Sequence, residues 1–161
     1  VKMSKKALYA GTFDPWTFGH EDVFKQACQL FDEVVILVCN NPLKKSLITL
    51  GDRITMIESL YPNVTVIPNE KFPTVHFAEL FHCSHLVRGI RSITDFKYEI
   101  QLANMNSRIS QKVNTIYFTP ELSNQYVSST MVKEFLRLNQ PIDSLVPRKI
   151  KEFLNDYRNN G

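Results

Sequence analysis

Val34 to Cys39 is an unbroken apolar run rich in β-branched residues, the pattern of a strand covered on both faces. Such a strand belongs to a parallel sheet, whose members need crossover helices between them. The chain supplies both. Ala7-Leu8-Tyr9-Ala10, Val64 to Ile67, Leu86 to Val87 with its neighbours, and Thr115 to Phe118 read as further strands. Helical spacing follows each one: Val23, Phe24, Ala27, Leu30 and Phe31 in a first helix, and Ile54, Ile57 and Leu60 in a second that starts at Thr49 with Asp52 three residues on. A short third helix runs from Val75 to His82, and a fourth, near Thr94 to Arg108, is expected to bury Phe96, Ile100, Ala103 and Met105. A fifth begins near Ser128 to Thr130 and carries Met131, Val132, Phe135 and Leu136; a last one follows Pro147, whose missing N–H costs nothing in a first turn. The expected fold is α/β, a doubly wound five-stranded parallel sheet, because right-handed crossovers put helices on both faces. No apolar helix face is left unpaired in this reading.

A chain of 161 residues is long enough for one domain with a sizeable core, so 1–161 reads as a single unit, with Val1 and Lys2 ahead of Met3 set aside as extraneous. Its 19 Lys and Arg against 16 Asp and Glu are scattered, which excludes bulk nucleic-acid binding and a polybasic membrane anchor. Cys28, Cys39 and Cys83 are odd in number and set in apolar runs, so they read as buried free thiols. With no signal-like segment and no bilayer-length apolar stretch, the expected location is cytoplasmic.

Function is concentrated in Gly11-Thr12-Phe13-Asp14-Pro15-Trp16-Thr17-Phe18-Gly19-His20, the turn between the first strand and the first helix. A helix N-terminus there presents unpaired N–H groups and the positive end of its dipole, which stabilises an anion. His20 can donate to an oxygen that gains charge during a reaction. In open parallel sheets ligands bind beyond the carboxyl ends of the strands, where the strand order reverses. The unusual residues all fall on that rim: Asn40 to Lys45 after the second strand, Arg88-Gly89-Ile90-Arg91 after the fourth, and Asn124 to Thr130 after the fifth. A triphosphate fits such a rim.

Each element also has a plainer reading. Lys44 and Lys45 are a solvated pair unless the rim position gives them a phosphate to reach. Arg88 and Arg91 either grip phosphate oxygens or pair with Asp95 and Glu99. Ser128-Ser129-Thr130 needs only one hydroxyl for an N-cap, leaving others for phosphate oxygens. His76, His82 and His85 form no ligand set, and Trp16 either shields the site or packs in the core.

The motifs Thr12-Phe13-Asp14-Pro15-x-Thr17-x-Gly19-His20, Arg88-Gly89-Ile90-Arg91, Asp95-Phe96-x-Tyr98-Glu99, Ala103-x-Met105-Asn106 and Val127-Ser128-Ser129-Thr130-x-Val132-Lys133-Glu134 together resemble the phosphopantetheine adenylyltransferase family of the nucleotidylyltransferase superfamily, over Met3 to Tyr157. The resemblance implies a Rossmann-like nucleotidylyltransferase fold and direct transfer of the adenylyl group of ATP to 4′-phosphopantetheine, giving dephospho-coenzyme A and pyrophosphate. The nearest rival is a superfamily relative acting on nicotinamide mononucleotide, or using CTP with a phosphorylated alcohol. A nucleotide-sensing domain without turnover is the rival from another class. By motif match His20, Lys44, Arg91 and Thr12 would be catalytic. ATP would be bound by Thr12, Phe13, His20, Gly89, Ile90, Arg91, Glu99, Asn124, Gln125, Tyr126, Val127, Ser128, Ser129 and Thr130. The acceptor would be held by Thr12, Lys44, Thr74 and Arg88. The resemblance further implies magnesium as cofactor, a homohexamer, and coenzyme A as feedback inhibitor; magnesium's reluctance to dehydrate leads to the expectation that it is held mainly by phosphates and water, with a direct protein ligand left open. Trp16 and Phe18 depart from the family pattern, which has an aliphatic residue and asparagine there, so a bulkier loop lacking one polar contact is expected, with its effect on substrate affinity left open.

Overall fold

The computed structural model describes residues 4–159; Val1 and Lys2 lie outside the described residues. β1 (Lys6–Gly11), β2 (Glu33–Cys39), β3 (Val66–Asn69), β4 (His85–Gly89) and β5 (Asn114–Phe118) form one all-parallel sheet in the order β3-β2-β1-β4-β5. The helices are α1 (Phe18–Leu30), α2 (Leu50–Leu60), α3 (Thr74–Leu80), α4 (Ile93–Ile109), α5 (Ser129–Arg137) and α6 (Arg148–Asn159). The order reverses at β1: β2 and β3 lie to one side, β4 and β5 to the other.

Alternation along the strands divides the core into two layers. Ala7, Tyr9, Val34, Ile36, Val38 and Val87 face a cluster with Phe24 and Ala27 of α1, Met56 and Ile57 of α2, Val132 of α5, and Ile150 and Leu154 of α6. Leu8, Ala10, Val35, Leu37 and Leu86 face Val75 and Ala78 of α3 with Cys83 and Val113. Both faces of β1 and β2 are therefore dry, as the apolar run of β2 requires. The third strand sits two residues later than Val64 to Ile67. It is an edge strand, where Pro68 is tolerated because one side of it needs no ladder partner.

Two expectations are corrected, on the cysteines and the fourth helix, and the alternative left open for Trp16 is decided for the core. Cys28 is exposed and Cys39 half-buried, so only Cys83 is a fully buried thiol. Trp16 is fully buried among Tyr9, Phe13, Phe24 and Tyr61, so its bulk is absorbed by the core and does not crowd the loop's outer face. The fourth helix does not bury its apolar stripe: Phe96 is 50%, Ile100 40% and Met105 54% exposed, with Ile93, Tyr98 and Ile109 beside them. Its buried side chains are Glu99 and Asn106. The 3.6-residue period was right, and what it cannot reveal is whether the matching surface belongs to the same chain.

Candidate functional site

The loop from Gly11 to His20 is held by local geometry. Thr17 is the N-cap of α1, its Oγ1 accepting from the His20 N–H at 3.4 Å, while its own N–H donates to His20 Nδ1 at 3.0 Å. This is a capping box with imidazole in the place usually taken by a Glu or Gln carboxyl or amide oxygen. Because Nδ1 accepts, the ring proton resides on Nε2. Burial, reinforced by the positive fields of Arg91 and Arg88, lowers the His20 pKa to about 3. At neutral pH the ring is an uncharged donor through Nε2, beside the N–H groups of the first turn.

Two glycines let other chain segments close on this ring. A Cβ on Gly19 would stand 3.2 Å from the Val127 carbonyl, so a side chain there would push the segment before α5 back from α1 by a few tenths of an ångström. A Cβ on Gly11 would strike the Phe13 ring at 2.8 Å. Phe13 itself is in the left-handed region at φ 52°, uncommon for a side chain of this size. Its ring is buried edge-on to His20 at 5.1 Å, so only its main chain is available to a ligand.

Arg88 and Arg91 are both paired, the plainer of the two readings made from the sequence. Arg88 Nε donates to both Glu99 oxygens at 3.1 and 2.9 Å, Nη2 to Oε1 at 2.6 Å, and Nη1 to the Ala10 carbonyl at 2.6 Å. Burial works against its charge, but Glu99 outweighs burial and holds the Arg88 pKa above its ordinary value. One N–H on each terminal nitrogen remains unspent, so the pair orients Arg88 at the β1–β4 switch point without exhausting it. Glu99 is buried and its carboxylate is occupied, which makes it a holder of Arg88 first. Arg91 is exposed and pairs loosely with Asp95 at 3.6 Å. Gly89 ends β4, and Ile90 N–H is tied to the Phe118 carbonyl at 2.9 Å.

The segment after β5 is fastened to the same place. Asp22 accepts from Asn124 Nδ2 at 2.8 Å and from Glu121 N–H at 3.1 Å. Ser128 is the N-cap of α5, bound by the Met131 N–H, and Ser129 Oγ donates to the Pro15 carbonyl at 2.8 Å. Thr130 and Tyr126 are exposed, Gln125 is half-buried, and Val127 is buried. Capping thus accounts for Ser128, and Ser129 joins the two helix N-termini.

Lys44 lies on the loop after β2. It is exposed, and among the described residues neither it nor Lys45 has an ion-pair partner. The loop is anchored by residues to which the sequence reading gave no role. Asp14, buried, accepts from the N–H groups of Leu47 and Ile48 at 2.8 and 2.9 Å and pairs with Lys133 at 2.7 Å. Arg53, also fully buried, donates from Nε to the Ile48 carbonyl, from Nη1 to the Thr12 and Cys39 carbonyls, and from Nη2 to Asn40 Oδ1. The available signal was an arginine in the apolar stripe of α2, three and four residues before Met56 and Ile57. Thr74 begins α3, beyond the edge strand, behind a turn in which Asn69 bonds both backbone groups of Phe72.

His20, Thr12, Arg88, Arg91 and Ser129 thus fall around the switch point, Lys44 is carried by the loop after the neighbouring strand β2, and Thr74 lies beyond the edge strand β3. A family model described as cytidylyltransferase-like matches residues 8–135. Relatives named phosphopantetheine adenylyltransferase include those of Nautilia profundicola, 36% identical over 92% of this chain and 97% of the relative, and Geobacter metallireducens, 38% identical over 94% of each. That of Methylacidiphilum infernorum is 39% identical over 93% of this chain and 89% of its own. Among solved structures, a putative nicotinate-nucleotide adenylyltransferase from Vibrio parahaemolyticus superposes with a TM-score of 0.71 at 15% identity, covering 96% of this chain and 93% of that one, a likeness of fold alone. The switch-point constellation and this near-full-length identity lead to one conclusion: the chain belongs to the phosphopantetheine adenylyltransferase family.

Proposed function

We propose that this protein transfers the adenylyl group of ATP to 4′-phosphopantetheine, forming dephospho-coenzyme A and pyrophosphate in coenzyme A synthesis. The observation that carries the reading is the neutral His20, fixed by Thr17 with its proton on Nε2 at the first turn of α1. A phosphate oxygen of the acceptor attacks the α-phosphorus; as that bond forms, the bond to the bridging oxygen breaks and its electron pair leaves with pyrophosphate. The enzyme need only align two anions and offset the charge that builds in line. His20 donates to an α-phosphate oxygen, strengthening as charge develops. Arg91, Ser129 and the N–H groups of the two helix starts hold the triphosphate, with Gly89, Ile90 and the 124–130 segment around the rest of ATP. Lys44 and the unspent N–H groups of Arg88 hold the acceptor phosphate, Thr12 lies between the substrates, and Thr74 meets the pantetheine arm.

Asp14, Asp95 and Glu99 are each engaged by a cation of the chain, and the described residues contain no cluster of three or more His, Cys, Asp or Glu suited to a metal ion. The donor set does not fit an ion held by the protein. Magnesium belongs in this reading to the ATP with which it arrives, as expected for an ion that keeps its waters.

The same reading includes a homohexamer, supported by the exposed apolar face of α4, since a contiguous patch of that kind marks an interaction surface. It also includes feedback by coenzyme A, which carries the product's own groups, and a cytoplasmic location. No helix of the described residues is long and apolar enough to cross a membrane.

Pyrophosphate release with ATP, magnesium and each acceptor in turn tests the proposal. Turnover is expected with 4′-phosphopantetheine and not with nicotinamide mononucleotide. The reverse pattern would refute it.

A further inference from the structure

We infer that Arg53 is a positioning residue for the transfer, a clasp that closes the base of the Lys44 loop and fixes that loop to Thr12; the inference rests on the function proposed above. The guanidinium spends four of its five N–H groups on three separate segments. Cys39 O and Asn40 Oδ1 lie where the chain leaves β2, Ile48 O lies where it rejoins the core before α2, and Thr12 O lies in the nucleotide loop. The residues between, 41–46, carry both free lysines and are otherwise tied only by a turn, with Leu43 N–H on Asn41 Oδ1 and Lys44 N–H on Asn41 O.

Asp14 completes the arrangement from the other side. It accepts the Ile48 N–H while Arg53 donates to the Ile48 carbonyl, so the two peptide groups flanking Ile48 are held by opposite charges, and among the described residues Asp14 and Arg53 do not pair directly with each other. A guanidinium buried against neutral acceptors is a costly way to fill a core. A fork, however, can reach several carbonyls in one plane, which a lysine ammonium cannot. All four acceptors belong to the bases of the two loops that bear Lys44, assigned to the acceptor phosphate, and Thr12, assigned to the space between the substrates. The consequence is a fixed origin for a mobile lysine: Arg53 sets where Lys44 starts, and Lys44 reaches the phosphate from there.

A double-mutant cycle tests the clasp. Arg53→Lys keeps the charge and loses the fork, and is expected to lower kcat/KM for 4′-phosphopantetheine about 10- to 100-fold, the order of cost of a small misplacement. KM for ATP should change far less than KM for the acceptor. In a Lys44→Ala background the same substitution should have little further effect, because residues acting through one another are not additive. A loss of full size in that background, or an equal rise in both KM values, would overturn the inference. Asn40→Ala removes a single contact of the clasp and carries the same test, with a smaller loss, if Arg53→Lys does not fold. Amide exchange separates the clasp from the reaction itself. In Asn40→Ala, exchange should rise in 41–46 and not in α1 or α4, and unchanged exchange in 41–46 would overturn the clasp whatever the acceptor proves to be. Absence of wild-type turnover with 4′-phosphopantetheine, with exchange altered as expected, would count against the proposed substrate alone.

Discussion

The backbone N–H of Thr17 donates to Nδ1 of His20 at 3.0 Å, and this one bond fixes which nitrogen of the imidazole can donate a proton. With Nδ1 accepting, only Nε2 carries a proton, and a pKa lowered to about 3 keeps the ring uncharged throughout the neutral range. Ring-resolved NMR, with the His20 signal assigned by its loss in His20→Gln, should find the Nε2–H tautomer and no titration between pH 8 and 5. A midpoint near the ordinary histidine value would contradict this account of the site.

The same lowered pKa links folding to pH. Between the unfolded value of 6.5 and the folded value of about 3, the unfolded chain binds the proton and the native chain does not. This group's contribution is therefore fully present above pH 6.5 and is lost as pH falls toward 3. His20→Gln retains an acceptor for the Thr17 N–H but cannot titrate. Urea unfolding across that window should give a shallower loss of stability for the variant, and parallel curves would contradict the expectation.

Arg88 depends on Glu99 for its counter-charge. Glu99→Gln preserves shape and leaves a partly buried guanidinium without its counter-charge, which should cost about 2 kcal/mol in denaturant unfolding. The acceptor KM should rise with it, as the two free N–H groups of Arg88 lose their fixed direction. Unchanged stability would show the pair to be dispensable.

The exposed stripe on α4 makes a prediction about assembly. Phe96→Glu places a charge in the centre of the Ile93, Phe96 and Ile100 face. By light scattering the parent chain should run as an assembly of six and the variant as a smaller species. A monomeric parent would contradict the proposed hexamer.

Much of this molecule was legible from period and position. The apolar run of β2 announced a strand buried on both faces, and the rim rule located the groups that gather at the β1–β4 switch point. The Thr17 cap could have been read from a Thr-x-x-His spacing, but capping boxes are sought with a glutamate, and the imidazole hid one. Pairing of Arg88 with Glu99 was among the alternatives because eleven residues spanning a strand end and a helix can bring two such groups together. The partners of Arg53 and Asp14 were not legible, although an arginine in the apolar stripe of α2 marked one of the two positions. Their partners are almost all backbone groups brought in from distant segments, and main-chain acceptors leave no mark on a sequence. The α4 face was read as core since periodicity reports that a helix has an apolar side without naming what covers it.

In the proposed reaction His20 acts on the transition state and contributes little to holding ATP. Measuring kcat and the ATP dissociation constant for His20→Ala beside the parent tests it most directly. Loss of one preorganised donor to a developing charge should lower kcat about 100- to 1,000-fold while ATP binding stays within about threefold. A fall in ATP affinity as large as the fall in rate would contradict it.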